Sequence, residues 1–421
     1  MKRLRIVISL CIIVSLFSGC NGQKGEIVTK NNDSVVISVL AGQSTSDAGI
    51  EDMIDEVIGK AMPNVKLEWE CVDWGESFAS QMRARFASND IPDIMIGKAQ
   101  DVKSYFGTGK LAVMDESLTA KIKQKALQAV TINKKTYGLP YNALYQGVIY
   151  NKKIFSKHGI QIPKTLPELE DVVKKLEQNN IIPFATHYHE NWKIGNTTMQ
   201  FMMNEIFKED PKWGNKFRRE TVDFTGNAKI NRCLENNQYI FNHSWEDSIY
   251  IDQFESDSRF SKGEAAMYLT GTWSLQFASQ YSAESDLGIF PFPNETGDAQ
   301  LIRETNITFM KSTTTKYDDI IDQIFDIIIS DQKLVQKILE FTQTVSVIKD
   351  VESDFSVCIQ EDIDLYEKSG NVIEVTLGNN QLVWTYQNDI ATQQLRWLKG
   401  EITLLDVLKY ADSHRADSSN N

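Results

Sequence analysis

The sequence predicts an α/β fold built on a mostly parallel sheet, and three stretches carry that prediction. "VVISVL" (35–40) is a continuous apolar run, as a strand buried on both faces requires. Ile50, Met53, Ile54, Val57 and Ile58 then recur at the spacing of one helical face. "VKLEWECV" (65–72) alternates Val65, Leu67, Trp69 and Cys71 with charged or polar neighbours, the period of a strand. Phe78, Met82 and Phe86 mark a second helix, and "IPDIMIG" (91–97) a third strand. The order βαβαβ implies parallel strands with helices on both faces. Ligands of such sheets sit beyond the carboxyl ends of strands, here "AGQSTSD" (41–47) and "GKAQD" (97–101).

The pattern changes after residue 135. Gly138 and Pro140 break the chain before a Tyr-rich apolar strand, Leu144 to Tyr150. Thr165, ahead of Pro167 and Glu168, has the chemistry of a helix start. Residues 197–213, 227–241 and 316–341 read as helices, the last with a broad face of Ile320, Ile321, Ile324, Ile327 and Ile328. Residues 384–411 also read as helical, and the polar tail, 414–421, is expected to be disordered. Trp69 and Cys71, on the alternating strand, are expected in the core.

Lys2, Arg3 and Arg5 precede an apolar run from Ile6 to Phe17, which fits an export signal and is short for a membrane span. Ser18 and Gly19 then precede Cys20, which resembles a bacterial lipoprotein signal whose cysteine sulfur takes a diacylglyceryl group. Phe17 stands where that pattern more often has Leu. Residues 1–19 are thus expected to be a signal peptide, and 20–34, polar and containing Gly, a flexible tether. Removing 1–19 takes away three of 44 basic residues and none of the 57 acidic ones, leaving 41 minus 57, or −16. Such a charge argues against nucleic acid as a partner.

Five cysteines are present; Cys11 leaves with the signal and Cys20 is lipidated, so Cys71, Cys233 and Cys358 remain. They make no disulfide framework and no CxxC motif. The mature length is enough for two domains held by core burial, and no internal repeat is visible. There is no Gly-x-Ser-x-Gly, no Cys–His pairing supported by context and no phosphate-binding loop, so ATP would be handled by another polypeptide. His187-Tyr188-His189-Glu190 has the ligand types of a zinc site, but His158, His243 and His414 show no matching spacing, and no metal or cofactor is expected. Asp318/Asp319 and Asp362/Asp364 read as solvated faces.

Three motifs occur in one order. They are "IPDIMIG", "YGLPYNALYQGVIYNKKIFSKHGIQIPKTLPEL" (137–169) and "FSKGEAAMYLTGTWS" (260–274). Together, behind a lipoprotein signal, they resemble the extracellular solute-binding proteins of family 1, the maltose-binding-protein-like components of ABC importers. The resemblance implies a two-lobed periplasmic-binding-protein fold, type II-like, with discontinuous lobes joined by crossing strands. Lobe 1 would comprise 35–141 and 268–310, and lobe 2 142–267 and 311–413. Crossings would fall near Pro140 to Leu144, Glu264 to Tyr268 and Phe309 to Thr313. Ala265 to Leu269 would then be apolar as a buried crossing strand, with Gly271 allowing a close turn and Trp273 opening a helix at the cleft wall.

The resemblance also implies a sugar, probed by aromatic faces on its C–H surface and by polar groups on its hydroxyls. Trp273 and Trp384 would form aromatic walls, with Tyr141 or Tyr145 near the first crossing. His187 and Trp192, in "THYHENW" (186–192), would come from the second lobe. Asp101 would accept hydroxyls unless it serves to start its helix, and Gln43 is a further candidate. The expected protein is a monomeric, extracytoplasmic, lipid-anchored subunit that delivers a saccharide, expected to be an oligosaccharide, to ABC permease subunits with a separate ATPase. Two alternatives stand beside it: a secreted carbohydrate-active enzyme, which needs two carboxylates across the cleft, and a subunit presenting solute to a membrane receptor kinase.

Overall fold

A computed structural model describes residues 34–42, 49–72, 76–275, 286–352, 357–376 and 382–418. Cys20, Gln43 and the expected signal and tether lie outside them, apart from Ser34 at the tether's end. The strands in chain order are β1 (Val35–Gly42), β2 (Val65–Val72), β3 (Ile94–Gly97), β4 (Thr131–Ile132), β5 (Lys135–Thr136), β6 (Leu139–Pro140) and β7 (Asn142–Asn151). They continue with β8 (Ile182–Ala185), β9 (Ala265–Gly271), β10 (Leu287–Phe290), β11 (Leu301–Thr305), β12 (Thr308–Lys311), β13 (Val345–Ser346) and β14 (Val372–Glu374).

Two sheets organise the chain. The first runs β2-β1-β3-β12-β6, with β1 parallel to β2 and β3 and with β12 antiparallel to β3 and β6. The continuous apolar run in β1 follows from burial on both faces. Ile37, Val39 and Ala41 pack with Ile54, Ile58, Ile321, Ile324 and Ile328, while Leu40 joins Phe78, Met82, Met95 and Val102 on the other side. The second sheet runs β14-β11-β7-β9-β8, with β10 and β13 also pairing with β7. β7 is its axis, buried from Asn142 to Tyr150, and one face carries the largest apolar cluster, including Val148, Phe184, Phe201, Met267 and Phe290.

The chain passes between the sheets at Tyr141, at Asn306–Ile307, and at Gln343–Thr344 ahead of β13. Asn142 ties these passages together. Its side-chain oxygen accepts from the Ile307 N–H at 2.8 Å, its carbonyl accepts from the Asn306 N–H at 3.0 Å, and its amide donates to Thr344 Oγ1 at 2.7 Å.

Strand pairing corrects the expected division of the chain. β9, β10 and β11 were expected mostly in lobe 1, yet β9 pairs antiparallel with β7 over Gln146–Tyr150 and parallel with β8, and β10 and β11 also pair with β7. Glu264 to Tyr268 is therefore no crossing. β12 joins the first sheet, and the helices Asp318–Ser330 and Gln332–Thr342, expected in lobe 2, bury their isoleucines on it. By pairing and packing, the first unit holds 34–141 and 307–351 apart from β13, which pairs with β7, and the second 142–305 and 357–418.

Several elements differ in detail. The stretch 316–341 is two helices because Asp331 caps the second, accepting from the Leu334 N–H at 2.9 Å. The stretch 384–411 divides into Trp384–Leu398 and Leu404–Ser413 at Gly400, whose φ of 75° ends the first. Thr165 and Glu168 form the expected capping box. Residues 415–418 of the expected disordered tail form a short turn of helix: Arg415 pairs with Asp223 at 2.7 Å, and Ser418 is fully buried. Cys71 and Trp69 are half-buried rather than core, and the Trp69 indole N–H donates to Asp55 at 3.0 Å. Among the described residues no helix is long and apolar enough to cross a membrane.

Candidate functional site

The strand registers place several carboxyl ends on one edge of the second sheet. β8 and β9 are parallel and end at Ala185 and Gly271; β11, antiparallel to β7, ends beside Ala143, and β14 runs parallel to β11. This edge therefore carries the 186–192 loop, Trp273, Glu304 and Thr376. The end of β3 carries Lys98 and Asp101. The two edges face each other, for Lys98 Nζ lies 2.9 Å from Glu304 Oε1 and Lys103 Nζ donates to the Thr376 carbonyl at 3.2 Å. A third lysine of the first unit, Lys125, pairs with Glu367 of the second at 2.8 Å.

On this edge three aromatic side chains meet. Trp273 is half-buried and its indole covers the Gly271 backbone so closely that a Cβ there would lie 2.0 Å from its Cζ3. It meets the half-buried Trp192 at 6.5 Å between ring centroids, tilted 65°, and Trp192 meets His187 at 5.2 Å and 61°. His187 is fully buried with Nδ1 2.8 Å from a Glu190 oxygen; burial nonetheless pushes its pKa down to about 4, so the ring is neutral at pH 7. Glu190 also accepts from the Gln253 N–H at 3.0 Å, which holds the loop to the next segment.

A polar layer lies behind the rings. Lys193 is buried and donates to the Leu269 carbonyl at 2.5 Å, with its ammonium 4.6 Å from the Tyr268 ring centre. Burial pushes Lys193 down to about 7 and Asp257, behind the same wall, up to about 7. The first residues of the Asn191–Met202 helix are thus fixed from within, while Trp192 keeps part of its surface outward.

Sequence comparison decides the family. The profile of the bacterial extracellular solute-binding proteins matches residues 41–333, well over half of the chain. The chain belongs to that family. A multiple sugar-binding protein of Streptococcus mutans is 21% identical over 319 residues, 72% of each chain. The melibiose/raffinose/stachyose-binding protein MelE of Bacillus subtilis is 24% identical over 189 residues, 42% of each. Among solved structures, a chitin oligosaccharide binding protein superposes with a TM-score of 0.75 at 19% identity, covering 91% of this chain and 98% of the other. A Bacillus licheniformis sugar transporter protein solved with stachyose gives 0.77 at 16% identity, covering 90% and 99%. These likenesses establish the two-lobed periplasmic-binding-protein fold, and the two units are its lobes.

Within this solute-binding protein, the structure brings His187, Trp192 and Trp273 together. Trp384 opens the helix that packs against the wall helix, where a Cβ at Gly195 would lie 3.3 Å from the Gln387 carbonyl. Trp384 is half-buried; its indole nitrogen and Asn388 Oδ1, one turn on, are buried without hydrogen-bond partners among the described residues. Asp101 lies on the facing edge, but one oxygen accepts from the Lys98 N–H at 2.7 Å as the third residue of its helix, and burial raises its pKa to about 6. Tyr141 and Tyr145 do not offer ring faces. Tyr141 is fully buried against Phe309 at 5.9 Å, and Tyr145 is 4% exposed with its hydroxyl donating to Glu367 at 2.7 Å. Each inward-facing position of a strand joining two cores is claimed by a core. Among the described residues no cluster of His, Cys, Asp and Glu could hold a metal ion.

Sequence reading missed Lys98, Gln146, Asn196, Glu304 and Asn388. A signal existed for two of them. Gln146 interrupts the apolar "NALYQGVIY", and Glu304 sits inside "LIRETNITF"; a polar group in a buried strand needs a partner.

Proposed function

We propose that this solute-binding protein captures a saccharide between its lobes and delivers it to the permease of an ABC importer, with ATP hydrolysed by a separate subunit. The observation that carries this reading is the Trp192–Trp273 wall at the carboxyl edge of one sheet, opposite Lys98 and Asp101 on the other. A pyranose has apolar C–H faces and a rim of hydroxyls. Indole faces cover the former, and carboxylates, carboxamides and ammonium groups pair with the latter, since an unpaired buried hydroxyl costs about 1–3 kcal/mol. The names of the relatives, which bind multiple sugars or raffinose-type sugars, support the class, and the aromatic share of the wall favours an oligosaccharide. Solute contacts made to both lobes favour the closed arrangement. A diacylglyceryl group on Cys20 holds the protein at the outer face of the cell membrane, where it acts as a monomer.

The test is a panel of mono- and oligosaccharides screened by thermal shift and followed by calorimetry. The expected result is one sugar site per chain with a change in tryptophan fluorescence. No shift with any saccharide, together with stabilisation by a peptide, a metal ion or a polyamine, overturns the substrate class.

A further inference from the structure

A directed chain of polar contacts links the first lobe to the helix bearing Trp192. Lys98 Nζ faces Glu304 Oε1 at 2.9 Å. Glu304 Oε2 accepts from Gln146 Nε2 at 2.6 Å, Gln146 Oε1 accepts from Asn196 Nδ2 at 3.1 Å, and Asn196 Oδ1 accepts from Gln200 Nε2 at 2.9 Å. The direction is dictated by charge. An ionised carboxylate only accepts, so Gln146 must turn its amide group to Glu304 and its carbonyl to Asn196, which fixes Asn196 and Gln200 in turn.

The Glu304 side chain is 4% exposed, whereas that of Lys98 is 33% exposed. Oε1 has no well-directed hydrogen bond within the described residues, so the ammonium from the opposite lobe is what offsets the burial of this charge. Removing one member of such a pair leaves the other desolvated and uncompensated. Asn196 follows Trp192 by four residues on one helix, which puts this link of the chain one turn from the aromatic wall.

We infer that Glu304 is a positioning residue for solute capture: its ion pair with Lys98 latches the two lobes, and Gln146 and Asn196 tie that latch to the helix that carries Trp192. The latch rests on the lobe-closure reading above, and it gives the closed arrangement an energetic cause within the protein. Separation of the lobes strips Glu304 of its cation. Closure restores the pair, and a solute against Trp192 holds the helix to which the pair is connected.

The experiment uses the mature chain and its Lys98→Met, Glu304→Gln, Lys98→Arg and double Lys98→Met/Glu304→Gln variants. Small-angle scattering reports lobe separation without ligand, and calorimetry with raffinose and chitotriose reports affinity. Lys98→Met and Glu304→Gln are each expected to enlarge the unliganded radius of gyration and to weaken whichever probe binds by about 5- to 150-fold. The double variant should be no worse than either single change, and Lys98→Arg should restore the compact profile. Additive losses in the double variant, or scattering identical to the parent in every variant, overturn the latch. If neither sugar binds the parent, the scattering comparison alone decides the latch, so its failure is separable from that of the sugar reading. Should Glu304→Gln fail to fold, Lys98→Met, at the more exposed partner, carries the same comparison.

Discussion

Gly271→Ala is the sharpest test of the aromatic wall. The Gly271 backbone is extended, with φ −124° and ψ 174°, a conformation open to any residue, so glycine is not required there by backbone strain. The requirement comes from the Trp273 ring. An added Cβ would stand 2.0, 2.3 and 2.5 Å from Cζ3, Cε3 and Cη2, where ordinary contact begins near 3.4 Å. The indole must therefore shift by about 1.4 Å (3.4 minus 2.0), which disturbs its edge contact with Trp192. Overpacking of this kind costs about 1–3 kcal/mol of stability, which a domain of this size tolerates. Displacing an aromatic anchor from its ligand costs about 2 kcal/mol or more, roughly 30-fold in affinity. The assay is calorimetric titration of the identified saccharide into the parent, Gly271→Ala, Trp273→Ala and the double variant. Because the three atoms nearest the methyl all belong to the indole, Gly271→Ala should weaken the parent by that factor and leave Trp273→Ala unchanged. Equal losses in both backgrounds, or undiminished binding by Gly271→Ala, refute the reasoning.

Two further outcomes follow, one from His187 and one from Cys20. His187 titrates near 6.5 when unfolded and near 4 when buried, so the unfolded chain binds the extra proton between those values and stability falls as pH drops through that window. The loss reaches about 3 kcal/mol, and melting curves from pH 7 to 4 should be flatter for His187→Gln; parallel curves contradict the neutral buried ring. Cys20→Ala should abolish incorporation of labelled palmitate and release the protein into the medium; labelled protein from this variant would move the anchor elsewhere.

What could be read from the chain follows from how local each signal is. The spacing of Ile50, Ile54 and Ile58, the alternation in "VKLEWECV" and the pairing of Thr165 with Glu168 lie within one element, and the corresponding helix, strand and cap are present. Trp192 and Trp273 were named by the resemblance, and each follows the carboxyl end of a strand. Lobe boundaries were not legible, because they depend on which strand pairs with which. β9 is apolar along its whole length, and that pattern serves equally for a strand crossing between lobes and for one sealed in the middle of a sheet. Tyr141 and Tyr145 show the same ambiguity at single residues: a tyrosine in a buried strand meets either a ligand or a core, and both here meet cores.

The polar residues were the better guide to the space between the lobes. Apolar burial is non-directional, so it says that β7 is covered without saying by what. A buried carboxamide or carboxylate demands a named partner. Asn142 finds its partners in Asn306, Ile307 and Thr344, on the segments that pass between sheets. Gln146, four residues on, finds Glu304 and Asn196. One strand therefore places its first polar residue at the passages and its second at the contact between lobes. Under the proposed closure, motion about Asn142 would part Lys98 from Glu304, and the same strand would then set both where the protein bends and what resists the bending.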